Sequence, residues 1–250
     1  MQSRQLDSDK TRYVVVVGSH TDVGKSVVSA TLCYGLGLGY HKLVQAGMPT
    51  DSDFVASLTP HTPIIPSVIS LRTPTSPHRA KRLESIEYDA FSLPLPICQL
   101  CANILIETAG GLYTPIDSVH CVLDWVAYHR LPVVLVGRHY LGAINHMLLS
   151  IEALKSRDIE ILGVVMSGRC DSEAQDSEMF IMKYANVQIA HLEEFTIPKT
   201  KAYETKKVRE EFINASHALI NELKEMDLPI LKWAMGDRQP AKEGRLLLGD

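Results

Sequence analysis

Four short runs, almost wholly apolar, recur along the chain: YVVVVG (13–18), ANILIET (102–108), PVVLVG (132–137) and EILGVVMS (160–167), each bounded by glycine, proline or charge. Apolar and polar residues that alternate give a strand one wet face; runs without alternation are buried on both faces, as in a parallel sheet covered by helices. HKLVQAG (41–47) is a weaker strand candidate. Between these runs, apolar residues fall at helical spacing over 25–38, about 51–58, 78–89, 117–129, 142–157, 173–184 and 204–226. Strand and helix alternate, which predicts an α/β fold: a doubly wound, mainly parallel sheet with helices on both faces and right-handed crossovers. In such a sheet ligands bind beyond the carboxyl ends of the strands.

Residues 60–77, with TPHTPIIP and RTPTSP, interrupt the alternation and read as an extended excursion, since no second core lies beyond them. The 250 residues are therefore expected to form a single domain with its core at about 13–226 and loosely held segments at 1–12 and 234–250. Composition adds exclusions. A net charge of −4 leaves no basic surface to neutralise nucleic-acid phosphates, and no apolar run approaches the roughly 20 residues of a membrane span. The first twelve residues lack the apolar stretch of a secretory signal, and five scattered cysteines fit a reducing, cytoplasmic compartment. Cys98 and Cys101 form a lone CxxC with no second pair at zinc spacing, so packing is the expected role.

The chemistry begins at GSHTDVGKS (18–26), directly after the first strand. A glycine-bounded loop leading into a helix turns backbone N–H groups into a concavity, and the helix start adds positive partial charge, which together hold a phosphate. Lys25 is placed to reach the β- and γ-phosphates of a nucleotide, and the Ser26 hydroxyl to ligate Mg²⁺. Five residues separate Gly18 from Gly24, one more than in the usual phosphate loop. GLGLG (35–39) has the wrong spacing for a dinucleotide fingerprint and reads as a helix end. Magnesium wants one or two carboxylates besides phosphate and water. Glu107 closes the NILIE strand before Thr-Ala-Gly-Gly, a place where packing gives no reason for an acid; Asp53, in TDSD, starts a helix shortly after the second strand. The alternative for Asp51 and Asp53 is helix capping and dipole compensation.

These segments together resemble the dethiobiotin synthetase family of the P-loop NTPase superfamily. The family loop Gly-Thr-x-Thr-x-Val-Gly-Lys-Thr has the same five-residue gap as GSHTDVGKS. KLVQAG, TDSD, LRTPTSPHRA, ETAGGLYTPI and LPVVLVGRHYLGAINHMLLSIEAL resemble further family segments in the same order, so the likeness spans about residues 13–167. What it implies is a P-loop NTPase-like fold and an ATP- and Mg²⁺-dependent cyclo-ligase. CO₂ (or bicarbonate as its source) and 7,8-diaminononanoate, also called diaminopelargonate, give a carbamate; ATP converts it to a carbamic–phosphoric anhydride; the second amine closes the ring to dethiobiotin.

The same resemblance implies the site. Ser19, His20, Thr21, Asp22, Val23, Gly24, Lys25 and Ser26 would cradle the nucleotide with Glu107, Ala109 and Gly110, and Ser26, Asp53 and Glu107 would hold the metal. Lys25, Lys42 and Thr21 would be catalytic. Lys42, Ala46, Gly111, Gly142 and Asn145 would meet the substrate, with the 142–145 helix start supplied by the neighbouring subunit of a homodimer. Three positions depart from the family: Ala46 replaces a hydroxyl residue, Leu43 a proline, and SGRC (167–170) lacks the asparagine that anchors adenine. Rival readings are a nucleotide-switch P-loop ATPase, which would need a second lysine where Ser19 and His20 stand, and a degenerate nucleotide-binding paralogue, for which Ala46 and SGRC speak.

Overall fold

The computed structural model describes residues 11–194 and 206–236. Its main sheet has seven strands, β1 (Arg12–Gly18), β2 (Gly39–Lys42), β4 (Ile64–Ile65), β6 (Asn103–Gly111), β7 (Val133–Arg138), β8 (Ile161–Gly168) and β9 (Ile189–Glu193), in the order β4-β2-β6-β1-β7-β8-β9. Every pairing in it is parallel. The doubly wound α/β fold expected from the sequence is the fold observed.

Parity along β1 shows why. Val14, Val15, Val16 and Val17 are all fully buried, yet they serve different layers. Val15 and Val17 pack with α4 (Val122–His129), α5 (Ala143–Lys155) and α6 (Ser172–Ala185). Val14 and Val16 face α1 (Lys25–Leu36), α2 (Asp51–Leu58), α7 (Lys206–Glu225) and α8 (Pro229–Met235). A strand with helices on both sides has no wet face to mark with polar residues.

The weaker strand at 41–47 divides. Gly39–Lys42 stays in the main sheet as β2, while β3 (Val44–Ala46) pairs with β5 (Ile69–Leu71) in a separate two-stranded sheet. Leu43 still donates its N–H to the Glu107 carbonyl at 3.0 Å, so the chain leaves the main sheet immediately after Lys42. The proline-rich excursion is pinned at both ends of this division, because β4 pairs with β2 and β5 with β3.

Two helices are shorter than their apolar spacing predicts. α3 (Pro77–Leu83) ends at Leu83, two residues before Ser85 takes φ +52°, and Glu84 turns back to accept from the N–H groups of Arg72 and Thr73. α4 begins at Val122 because Asp117 instead gathers the N–H groups of Ala90, Val119 and His120 into a turn. α8 lies beyond the expected end of the core at about 226 and mostly before the segment expected to be loosely held from 234. It buries Ile230 and Leu231, and the carbonyls of Trp233 and Ala234 accept from Arg12. Residues 1–10 and 237–250, most of the expected loose segments, fall outside the described residues.

The α1–α7 contact gives a stability test. Phe212 of α7 is fully buried and meets Tyr34 of α1 edge-on at 5.8 Å. Phe212→Ala is expected to cost about 3–5 kcal/mol by transfer and cavity terms together. Denaturant unfolding reads this as a lower midpoint with unchanged slope; a loss below about 1 kcal/mol would contradict the packing described.

Candidate active site

Strand register brings the charged groups together. Lys42 of β2 and Val16 of β1 are the Cα partners of Glu107 in β6. Tyr40 and Lys42 share a strand face, as do Leu105 and Glu107, and Tyr40 and Leu105 belong to the layer that contains α1. Glu107 thus points toward the start of α1, where Lys25 and Ser26 follow the loop. Lys42 is the last residue of β2, whereas Glu107, expected to close its strand, has four more residues of β6 beyond it, to Gly111.

The result is a buried ionic knot. The Lys42 ammonium lies 2.8 Å from Glu107 Oε1 and 2.7 Å from Asp51 Oδ2, and it donates to the Thr108 carbonyl at 3.2 Å. Burial alone would lower the Lys42 pKa, but Glu107 and Asp51 outweigh it and raise the value. Asp51 is likewise opposed by burial and lowered overall by Lys42 and by the Ser26 hydrogen bond. Tyr40 donates to Glu107 Oε2 at 3.0 Å. Burial and the neighbouring Glu107 push the phenol well above its ordinary value, so it stays a neutral donor.

Ser26 Oγ lies 2.9 Å from Asp51 Oδ1 and 2.8 Å from Glu107 Oε1. A hydroxyl carries one hydrogen, so it can satisfy only one of these carboxylates at a time. One oxygen pair is left facing lone pair to lone pair. This set of converging hard oxygens fits Mg²⁺, which takes oxygen ligands and one or two carboxylates.

Asp53, expected in the metal set, is placed elsewhere. It is exposed, and its N–H is capped by Thr50 Oγ1 at 3.0 Å, while Asp51 occupies the site. Two positions along a helix rotate a side chain by about 200°, so only one of the two aspartates can face Ser26. Gln45 selects which: its Oε1 accepts from Asp51 N–H at 3.1 Å, and its Nε2 donates to the Gly47 carbonyl. Gln45 and Tyr40 are supporting residues with no signal in the sequence beyond a polar group inside an apolar strand.

The loop itself takes backbone conformations that few residues tolerate. Asp22 has φ +59° and Gly24 φ +92°. A Cβ on Gly24 would stand 2.3 Å from Ser167 Oγ, and that hydroxyl donates to the Val23 carbonyl at 2.6 Å. Ser167, in the segment expected to anchor the base, therefore braces the loop. Val23 puts its side chain into the core. Lys25 is almost fully buried and reaches the His20 carbonyl at 3.3 Å. Burial and the nearby Lys42 lower its pKa to about 8.

Around this lies a cleft of about 1550 Å³. Ser19, His20, Thr21, Asp22, Gly24, Lys25, Ser26, Lys42, Ala46, Glu107, Ala109, Gly110 and Gly111 all line it, with Asp51. Pro74–Pro77 and Tyr113–Pro115 close one side, and Arg138, His146 and Leu149 another. Gly142 and Asn145 are exposed at the start of α5 and do not line the cleft of their own chain.

Phosphate binding would favour charged Lys25 and so raise its pKa. Calorimetry of ATP binding in buffers of different ionisation enthalpy is expected to show proton uptake near pH 8.5 and little at pH 6.5, values chosen around a pKa of about 8. Uptake that is absent, or that survives Lys25→Ala, would remove this lysine from the phosphates. For the metal, Asp51→Asn is expected to raise the Mg²⁺ concentration for half-maximal ATP turnover by about tenfold or more, and Asp53→Asn to leave it unchanged. The reverse pattern would reinstate Asp53.

Comparison with known proteins identifies relatives of the chain. The protein-family profile described as an AAA domain matches residues 12–198. The ATP-dependent dethiobiotin synthetase BioD of Campylobacter jejuni is 46% identical over 182 residues, covering 73% of this chain and 88% of that protein. Its counterpart from Brucella ovis is 41% identical over 166 residues, 65% of this chain and 77% of that one. Among solved structures, the septum site-determining protein MinD of Pyrococcus horikoshii aligns over 87% of this chain and 96% of its own, with 15% identity and a TM-score of 0.49. By its identity to the curated relatives and the length over which it holds, the chain belongs to the ATP-dependent dethiobiotin synthetase family.

Proposed function

We propose that this chain uses ATP and Mg²⁺ to close 7,8-diaminononanoate and CO₂ into dethiobiotin, a step of biotin biosynthesis. The observation that carries the reading is the meeting of Lys25, Lys42, Ser26, Asp51 and Glu107 in one cleft at the carboxyl edge of the sheet. Addition of one amine to CO₂ gives a carbamate and releases a proton. A carbamate oxygen then takes the γ-phosphoryl group, ADP leaves, and the second amine displaces phosphate as the ring closes.

Negative charge accumulates at one point through this sequence, and transfer of a phosphoryl group is governed by positioning and charge neutralisation. Lys25 supplies one ammonium at the loop. Lys42 supplies a second from the neighbouring strand, and the backbone at Gly110 and Gly111 allows close approach from the other side. Ser26, Asp51 and Glu107 would hold Mg²⁺, whose chemistry is to offset the charge of the phosphates. Thr21 and Asp22 are exposed on the loop rim beside them. Ala46 leaves the substrate side of β3 without a hydroxyl, so backbone groups would make that contact.

The substrate's carboxylate would sit at the start of α5 from a second copy. Gly142 has φ +98° with open space around it, and Leu141 beside it is fully exposed, an arrangement suited to a partner. Light scattering is expected to give a two-chain particle.

Phosphate release measured with and without diaminononanoate and bicarbonate tests the reading. Release is expected only when both are present, with Lys42→Ala lowering turnover by about 10²-fold or more. Release from ATP alone, indifferent to both cosubstrates, would instead favour a nucleotide switch.

A further inference from the structure

We propose that His139, Glu178 and His191 form a binding site for a divalent ion of the zinc class, separate from the nucleotide cleft. The three come from different elements: His139 just past β7, Glu178 in α6 and His191 in β9. None lines the cleft, and the chemistry above uses none of them.

Glu178 Oε1 lies 2.7 Å from His139 Nε2 and 3.0 Å from His191 Nδ1, and the ligand atoms of all three residues fall within 4.8 Å of one another. Ligand atoms around a tetrahedral zinc stand roughly 3.3 Å apart, as bonds of about 2.0–2.1 Å require. The cluster is thus near its liganded spacing without rearrangement of the backbone.

The surroundings of the three atoms fit the same reading. His191 Nε2 is 2.9 Å from the Gly168 carbonyl oxygen, which fixes the ring and aims Nδ1 at Glu178 Oε1. That oxygen is also met by His139, and Glu178 is only 8% exposed, so the three ligand atoms converge on a point shielded from water. The Gly168 contact is the kind of outer hydrogen bond that orients a ligating histidine, and Glu222 Oε2 holds the His191 backbone N–H at 2.9 Å. Two imidazoles and one carboxylate suit zinc and its neighbours in the series better than magnesium. An ion there would tie β7, α6 and β9 together beside Ser167, which braces the phosphate loop.

The test uses the full chain, stripped with chelator and titrated with Zn²⁺ against a chromophoric competitor, with Co²⁺ absorption as a second readout. One tight equivalent and a four-coordinate, nitrogen- and oxygen-ligated Co²⁺ spectrum are expected. His191→Ala and His139→Gln are expected to weaken binding by about 100-fold or more, and Asp51→Asn to leave it unchanged. Glutamine at 139 can still donate to Glu178, so it removes the ligand nitrogen while keeping the structural hydrogen bond; unchanged circular dichroism confirms that its fold is intact. The proposal is overturned if the wild-type chain takes up no zinc, if His139→Gln binds as tightly as wild type, or if Co²⁺ shows the charge-transfer bands of thiolate ligation.

Discussion

The Lys42 ammonium held between Glu107 and Asp51 is the contact on which the site depends. Two carboxylates drawn from different elements and buried close together would repel, and one cation between them offsets both. Such a group is costly to break from one side, about 3–5 kcal/mol for a buried pair left with an unpaired member. The knot fixes where α2 begins relative to β6, and Ser26 joins it to the phosphate loop. Nothing in it needs induced order: strand register sets Lys42 beside Glu107, and Gln45 sets Asp51.

With Lys25 included, the knot is a balanced set of two positive and two negative groups. A divalent ion and a polyphosphate arriving together would redistribute those pairings. Asp51 and Glu107 have ligand oxygens ready for the ion, and Lys42 gains anionic partners in the phosphates and carbamate. Lys25, whose pKa is lowered to about 8 by burial and Lys42, is primed to become fully charged once phosphate arrives. The cleft therefore gains cationic character when nucleotide enters.

Much of this was legible in the sequence because it rests on local signals. Uninterrupted apolar runs marked β1, β6, β7 and β8, and the loop from Gly18 to Ser26 declared itself by its glycines and lysine. Glu107 stands out in the sequence as an acid after a buried apolar run, although β6 continues past it to Gly111. Residues 51 and 53 both sit at a helix start, and the sequence does not tell which of them faces Ser26; the Gln45 and Thr50 contacts at the start of α2 turn Asp51 toward it. The short β4 and β5 carry two and three residues, too few for any periodicity to register. The break at Leu43 carries no local sign, because neither glycine nor proline stands where the backbone changes sheets. His139, Glu178 and His191 share no spacing, since only the parallel order of β7, β8 and β9 with α6 folded over them makes them neighbours.

A crystal structure of the chain with Mg²⁺, a non-hydrolysable ATP analogue and diaminononanoate tests the central claim most directly. The account requires the ion on Ser26 Oγ with Asp51 and Glu107 as its carboxylates, and both Lys25 and Lys42 within hydrogen-bond reach of the terminal phosphate or the carbamate. An ion bound away from Asp51, or Lys42 still buried against its carboxylates with the phosphates out of reach, would contradict it.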